Sequence, residues 1–271
     1  MIITSRDNET VRTARRLAAD PKARREAGAF LIEGARLCAD AALSGAPLAV
    51  ALITEEAAAR YPAETARVTG AAERVLTLSD RVAATLSDTP SPQGIFCICK
   101  TLDNCKMLDT IEDINSLSFN NSKWLALEDL RDPGNLGTVI RTAEAVGIGG
   151  LILSSGCCDI FSPKVLRGSM GGVFRLPLFR TGDLPGLLTR LQGAGCRVWG
   201  CVPDRQATSI LDLPLGPGTV CVVGNEANGL TPAALAACSG TLTVPMAGRA
   251  ESLNAAVAAS LVMWEMARRD I

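Results

Sequence analysis

Residues 124–155 read WLALEDLRDPGNLGTVIRTAEAVGIGGLILSS. The apolar run WLALE gives way to turn text, Asp132-Pro133-Gly134,. Val139, Ile140, Ala143 and Val146 then recur at helical spacing, and a second apolar run, LILSS, ends the segment,. Continuous apolar runs of this kind suit strands buried on both faces. Strand, helix and strand in one short stretch make a parallel crossover unit. The alternation continues in RLPLF, RVWGCV, TVCVVG and TLTVP, with helical text between most of them,. Residues 123–271 are therefore expected to form an α/β domain around a mainly parallel sheet covered on both faces. Ligands of such sheets bind outside the carboxyl ends of the strands, so the loops that follow strands hold the candidate site.

Upstream, AFLI, PLAVALI, RVLTL and GIFCIC read as strands, and EGARLCADAAL, EEAAARY and SDRVAATL as helices,. They predict a smaller α/β domain over residues 1–100. Between the two, TLDNCKMLDTIEDINSLSFNNS (101–122) is polar without sustained periodicity and reads as a linker with a short helix,. A chain of 271 residues is comfortable for two domains,.

The chain has no histidine. That removes Ser-His-Asp and Cys-His catalysis, His-ligated zinc and any imidazole base. Of the ten cysteines, Cys97, Cys99, Cys201 and Cys221 lie in or beside apolar runs, where a reduced thiol acts as a small hydrophobe,. Cys97 and Cys99 form CxC, no second pair stands at metal-ligand spacing, and no metal site is expected. No apolar stretch reaches eighteen residues, and MIITSRDNETVRTARR carries charge where a leader would need an apolar core, so a cytoplasmic protein is expected. Net charge is −1, but residues 1–36 hold eight basic side chains against five acidic ones, a net +3. Arg24, Arg25 and Arg36 are candidate phosphate contacts on that local basic surface. A solvated helix face accounts for much of this run equally well.

Neither a dinucleotide fingerprint nor a P-loop occurs. Three loops remain. In LEDLRDPGNLGTVIRTAEAVGI (127–148), Asn135 is placed to cap the helix and Arg141 sits off its apolar stripe,. In VCVVGNEANGLTP (220–232), a buried strand ends in Gly224-Asn225-Glu226 and Thr231 and Pro232 start the next helix,. In TLTVPMAGRAESLNAAVAASLVMWEMARR (241–269), Ser252 is read as the cap of a long Ala-rich helix, with Ser252 and Asn254 in its positive first turn,. The first two loops alone are also explained by ordinary capping and turn chemistry; in the third, capping explains Ser252 but not the whole arrangement.

Together, NLGTVIR (135–141), VVGNEANGL (222–230) and VPMAGRAESLNAAVAA (244–259) resemble the three signature motifs of the SpoU/TrmH family of RNA ribose 2'-O-methyltransferases, within the SPOUT superfamily. Val244 stands where Ile is commoner and Ala227 where Gly is usual; neither change removes a functional group. FLIEGARL (30–37) and SDTPSPQGIFCI (87–98) are similar in style to the substrate-binding domain that many members carry. The resemblance implies a C-terminal segment threaded into a deep trefoil knot, S-adenosyl-methionine bent against the knotted loops, and a homodimer whose active site lies near the partner subunit.

It further implies that Asn135, Arg141, Glu226, Ser252 and Asn254 form the reaction centre, and that Gly224, Val244, Met246 and Leu253 hold the cofactor. Arg141 would take the role often described as a general base. A neutral guanidine at pH 7 costs at least about 7.5 kcal/mol, because the group holds its proton far above neutrality. A clamp on the target phosphate that also stabilises charge on the 2'-oxygen is the softer role. The implied substrate is structured RNA. Ribosomal RNA is favoured because an N-terminal α/β domain is commoner in that branch; transfer RNA and a non-catalytic RNA-binding assembly factor are the alternatives.

Overall fold

The computed structural model describes residues 2–87, 89, 91–108 and 119–268. They form two compact units: residues up to Asp103 together with Asp159–Phe174, and Asn104–Cys158 together with the chain from Arg175 onward. The division is not a single cut through 101–122, because sixteen residues of the C-terminal sequence pack with the first unit.

The first unit runs β1 (Ile2–Ile3), α1 (Glu9–Ala19), α2 (Pro21–Ala27), β2 (Ala29–Glu33), α3 (Ala35–Leu43), β3 (Leu48–Thr54), α4 (Glu55–Arg60), α5 (Pro62–Ala71), β4 (Arg74–Leu78), α6 (Asp80–Ala83) and β5 (Ile95–Lys100). Its sheet has the order β1-β4-β3-β5-β2. It is mixed: β3 is parallel to β4 and antiparallel to β5, which is antiparallel to β2. Val11, Ala14 and Leu17 recur every third residue along α1, and all three are buried with Leu31, Leu52 and Phe96 in one core,.

The segment Asp159–Phe174 is fastened to this unit by named contacts. Phe161 stacks on Phe30 with ring centroids 4.4 Å apart. Arg24 gives Nε and Nη2 to Asp159, both at 2.7 Å, and Nη1 to the carbonyl of Leu17 at 2.6 Å. This corrects the reading of Arg24 as a phosphate contact. With 5% of its surface exposed and its guanidinium directed at protein acceptors, it is a structural cation. Arg25 and Arg36 are exposed.

The second unit contains β6 (Cys105–Met107), β7 (Trp124–Leu127), α7 (Pro133–Ala145), β8 (Gly150–Ser154), β9 (Leu178–Thr181), α8 (Leu184–Gly193), β10 (Arg197–Cys201), β11 (Thr208–Ser209), β12 (Thr219–Val223), α9 (Pro232–Ala236), β13 (Gly240–Thr243) and α10 (Ala255–Ala267). All eight strands are parallel, in the order β11-β13-β10-β12-β7-β8-β9-β6. Part of the expected linker is thus an edge strand, β6, and residues 109–118 lie outside those described. The RLPLF strand begins at Leu178, after Pro177, whose ring nitrogen has no hydrogen to donate to a ladder,. Gly150 is required where it stands: a Cβ there would lie 2.3 Å from the Trp124 ring and 2.8 Å from the Pro177 carbonyl oxygen.

Register aligns the strand ends. Leu127 of β7 pairs with Leu153 of β8 on one side and with Val223 of β12 on the other. The chain leaves β7 toward β8 and later returns to β12, so strand order reverses at β7. A crevice opens outside the carboxyl ends at such a reversal. No helix among the described residues is long and apolar enough to cross a membrane.

Removing Arg24 leaves the Asp159 charge without its cation and takes a donor from the carbonyls of Leu17 and Ala18. Arg24→Ala is expected to destabilise the first unit by about 3 kcal/mol, while Arg25→Ala stays within about 0.5 kcal/mol. Hydrogen exchange of peptides from α1 and β2 reads both effects; equal protection in the two variants would contradict the structural role.

Candidate active site

Three loops leave the carboxyl ends of β7, β12 and β13, and their polar groups are built into one relay. Pro133 starts α7, and Asp132 rather than Asn135 is its cap: Asp132 Oδ1 accepts the Asn135 amide at 2.8 Å,. This leaves the Asn135 side chain free to bridge. Its Nδ2 donates to Glu226 Oε1 at 3.0 Å, and its Oδ1 accepts from Asn254 Nδ2 at 3.1 Å. Asn254, not Ser252, caps α10, accepting the amides of Ala256 and Val257 at 2.9 and 3.2 Å. The cap sits three positions before the expected residue in α7 and two after it in α10, because in each loop both residues have a suitable side chain.

Glu226 closes the relay. Besides Asn135, the amides of Arg131 and Asp132 donate to its two oxygens, at 3.3 and 3.1 Å. Desolvation pushes its carboxyl up, but the bonds from Asn135 and from backbone amides outweigh this, so it titrates below the ordinary carboxylate value,. Glu226 is therefore an ionised acceptor at neutral pH and a weak base.

The loop carrying Glu226 is folded back on itself. Asn225 and Gly229 exchange backbone hydrogen bonds at 3.0 Å in both directions. Gly224 permits this, since a Cβ there would lie 2.2 Å from the Gly229 carbonyl carbon. Thr231 caps α9 and also gives its amide and hydroxyl to buried Glu128, at 2.8 and 2.7 Å. Asn225 Nδ2 reaches the Asp129 carbonyl at 2.8 Å. Glu128 was not singled out from sequence. Glu128 follows an apolar run whose carboxylate has no partner within helical or strand reach, and only the fold supplies Thr231.

Beside the relay lies a pocket of about 500 Å³. Gly224, Val244, Met246 and Leu253 all line it, as do Glu226 and Ser252. Leu242 and Val262 add apolar wall. Asn135, Asn254 and Arg141 do not line it. Arg141, exposed on α7, makes no hydrogen bond or ion pair among the described residues. All ten thiols are free, and burial raises those of Cys99 and Cys221 well above their ordinary value, which keeps them protonated. Among the described residues no group of three or more potential metal ligands gathers.

A parallel sheet with a ligand-sized pocket and a polar relay outside the carboxyl ends of its strands defines an open-sheet α/β enzyme that binds a small molecule next to a reaction centre,. Residues 122–264 match the family described as SpoU rRNA Methylase, and residues 8–97 match the MRM3-like substrate binding domain. The chain is 32% identical over 264 residues to the 23S rRNA (guanosine(2553)-2'-O)-methyltransferase RlmP of Bacillus subtilis, covering 97% of this chain and 98% of that protein. It is 28% identical over 275 residues to the 23S rRNA (uridine(2479)-2'-O)-methyltransferase of Streptomyces viridochromogenes, covering 99% and 92%. The fold is similar to an AdoMet-bound rRNA methyltransferase from Sinorhizobium meliloti, with TM-score 0.84, 29% identity and coverage of 100% and 98%. It is also similar to the SpoU methyltransferase AviRb from Streptomyces viridochromogenes in complex with AdoMet, with TM-score 0.79, 26% identity and coverage of 97% and 99%. The chain belongs to the SpoU rRNA methylase family, the one its three signature segments resemble.

The lowered pKa of Glu226 makes a signed prediction. A carboxyl depressed in the folded state contributes stability above its unfolded value, about 4.3, and loses it as pH falls through the folded value. Glu226→Gln should therefore flatten the acid limb of the stability curve below about pH 4.3 and leave the slope above pH 5 unchanged. Denaturation midpoints at a series of pH values check this, and an identical acid limb in the variant would refute it.

Proposed function

We propose that this protein transfers the methyl group of S-adenosyl-methionine to a ribose 2'-hydroxyl of 23S ribosomal RNA. The observation that carries this reading is the convergence of the family's second and third motifs on one pocket, with the first joined to it through the Asn254–Asn135–Glu226 relay. Ribosomal RNA is favoured over transfer RNA because the similarity to enzymes named for 23S rRNA runs through both units.

The pocket suits S-adenosyl-methionine in size and chemistry: about 500 Å³, lined by apolar side chains and by the loops after β10, β12 and β13,. When bound there, the cofactor supplies a methyl group activated on a sulfonium. Gly224, Val244, Met246 and Leu253 hold it, Met246 and Leu253 offering apolar contact to the adenine. Arg141, whose guanidinium has no protein partner, clamps the target phosphate and stabilises negative charge on the 2'-oxygen. Asn135 and Glu226 fix the loops around the reacting groups, with Asn254 joining them from the cap of α10, and Ser252 orients the ribose. Positioning of two reactants then supplies much of the acceleration. Arg25 and Arg36 of the first unit contribute phosphate contacts, in the cytoplasm where ribosomal RNA is made.

A homodimer completes the reading. α10 is apolar on almost every side, yet Val257, Leu261 and Trp264 are 48, 39 and 51% exposed. At spacing i, i+4, i+7 they form one stripe, and an apolar helix of this kind is ordinarily covered. The C-terminal segment ending in α10 is proposed to thread the knot typical of the family. Support comes from its packing against α7, where Ser260 Oγ lies 3.4 Å from Thr142 Oγ1.

Two experiments test this. Calorimetry should show S-adenosyl-methionine binding and NAD not binding. Arg141→Ala should lower methyl transfer to a 23S rRNA transcript by at least about 100-fold while cofactor affinity stays within a few-fold; collapse of that affinity in a folded variant would overturn the assigned roles. Separately, Trp264→Glu should convert a dimer to a monomer in light scattering after size exclusion. A wild-type protein that is already monomeric at micromolar concentration would exclude the dimer.

A further inference from the structure

Asp129 lies between β7 and α7 and is in the left-handed region, with φ 52°. Among the described residues only Met170 shares that condition without being glycine. A non-glycine residue stays in that strained region only where its surroundings fix it. The surroundings of Asp129 do fix it. Its amide donates to Ser154 Oγ at 2.8 Å, and the same hydroxyl donates back to Asp129 Oδ1 at 2.6 Å. Its carbonyl accepts from Asn225 Nδ2 at 2.8 Å. Gly156 leaves the carboxylate its space, since a Cβ there would lie 2.2 Å from Oδ1. Ser154 is itself buried at the end of β8.

Asp129 thus joins the carboxyl ends of three neighbouring strands, β7, β8 and β12. The two residues whose amides reach Glu226, Arg131 and Asp132, lie two and three positions after it, beyond buried Leu130. Neither Asp129 nor Ser154 lines the pocket or touches the Asn135 side chain.

We propose that Asp129 and Ser154 are positioning residues for methyl transfer, holding the backbone bend that aims the Arg131 and Asp132 amides at Glu226 and so sets Asn135. The inference rests on the proposed function for its catalytic part and on geometry alone for the bend. Ser154→Ala removes both bonds to Asp129. Gly156→Ala keeps both residues but displaces the carboxylate. Asp129→Asn keeps an acceptor and a side chain that tolerates φ above zero, and is the conservative control.

The test has two arms on the full-length protein. In hydrogen exchange, amides 130–135 should exchange about tenfold faster in Ser154→Ala and Gly156→Ala, the effect of one lost hydrogen bond. Asp129→Asn should match wild type, and the strand peptides of β7 and β12 should be unaffected in all variants. In methyl transfer from S-adenosyl-methionine to a 23S rRNA transcript, kcat should fall about 10- to 100-fold in Ser154→Ala, with cofactor affinity retained. Most of that loss should vanish when Ser154→Ala is made in a Glu226→Gln background, because the serine acts through the glutamate. Unchanged exchange at 130–135, or a full kcat loss persisting in the Glu226→Gln background, would overturn the proposal. Absence of any transfer by wild type would instead fall on the functional reading, and hydrogen exchange would still decide the bend.

Discussion

Two consecutive backbone amides can reach one carboxylate only where the chain bends so that both N–H groups face the same way. Arg131 and Asp132 meet that requirement at Glu226. The rest of the site is arranged around it. The in-register neighbours β7 and β12 bring the two loops side by side, and the fold-back of residues 225–229 presents the carboxylate to the amides. Asn135 then extends the connection to the third loop through Asn254. The result is that three loops, the outer two 119 residues apart in sequence, are joined by side-chain hydrogen bonds beside the pocket.

The energetics favour this arrangement over a looser one. Desolvation raises the Glu226 carboxyl, but its several hydrogen bonds together outweigh this, since bonds to an ionised acceptor are roughly twice as strong as neutral ones,. The same bonds hold its titration below the ordinary range, so the rim keeps its charge pattern at every pH near neutrality. A second carboxylate, Glu128, joins β7 to the start of α9 from the buried side. One glutamate above the sheet and one within it therefore hold the β12–α9 loop from two directions.

Much of this was legible from residue patterns. Continuous apolar runs placed the central strands of the second unit, since parallel strands buried on both faces admit little else. The candidates Gly224, Val244, Met246 and Leu253 converge because loops after neighbouring parallel strands must emerge at one end. What pattern could not supply was the choice among equivalent polar neighbours. Asp132 and Asn135 are both good caps, as are Ser252 and Asn254; the winner depends on which side chain is needed elsewhere, and Asn135 is needed by Glu226. Arg24 failed for a related reason. A basic run looks alike whether its members face solvent or a buried acid, and Asp159 lies 135 positions away in sequence. The strand Cys105–Met107 was missed because a short edge strand needs no apolar alternation.

The polar groups of the site divide by what the fold leaves unsatisfied. Glu226 accepts three donors from the protein, and Asn135 and Asn254 each donate and accept within it. Groups so occupied hold geometry, because turning away to a substrate would break bonds that join the loops. Arg141 is different, being exposed, permanently cationic and without a protein partner. A guanidinium kept in that state on a well-anchored helix retains its full capacity for a bidentate bond to phosphate. The proposed clamp role follows from this contrast as much as from the motif. Electrostatic help at a forming oxyanion requires a donor that is preorganised yet not already neutralised. Among the candidate catalytic residues, Arg141 alone combines a fixed backbone with an unpaired charge, which is why its removal should affect the reaction far more than the binding.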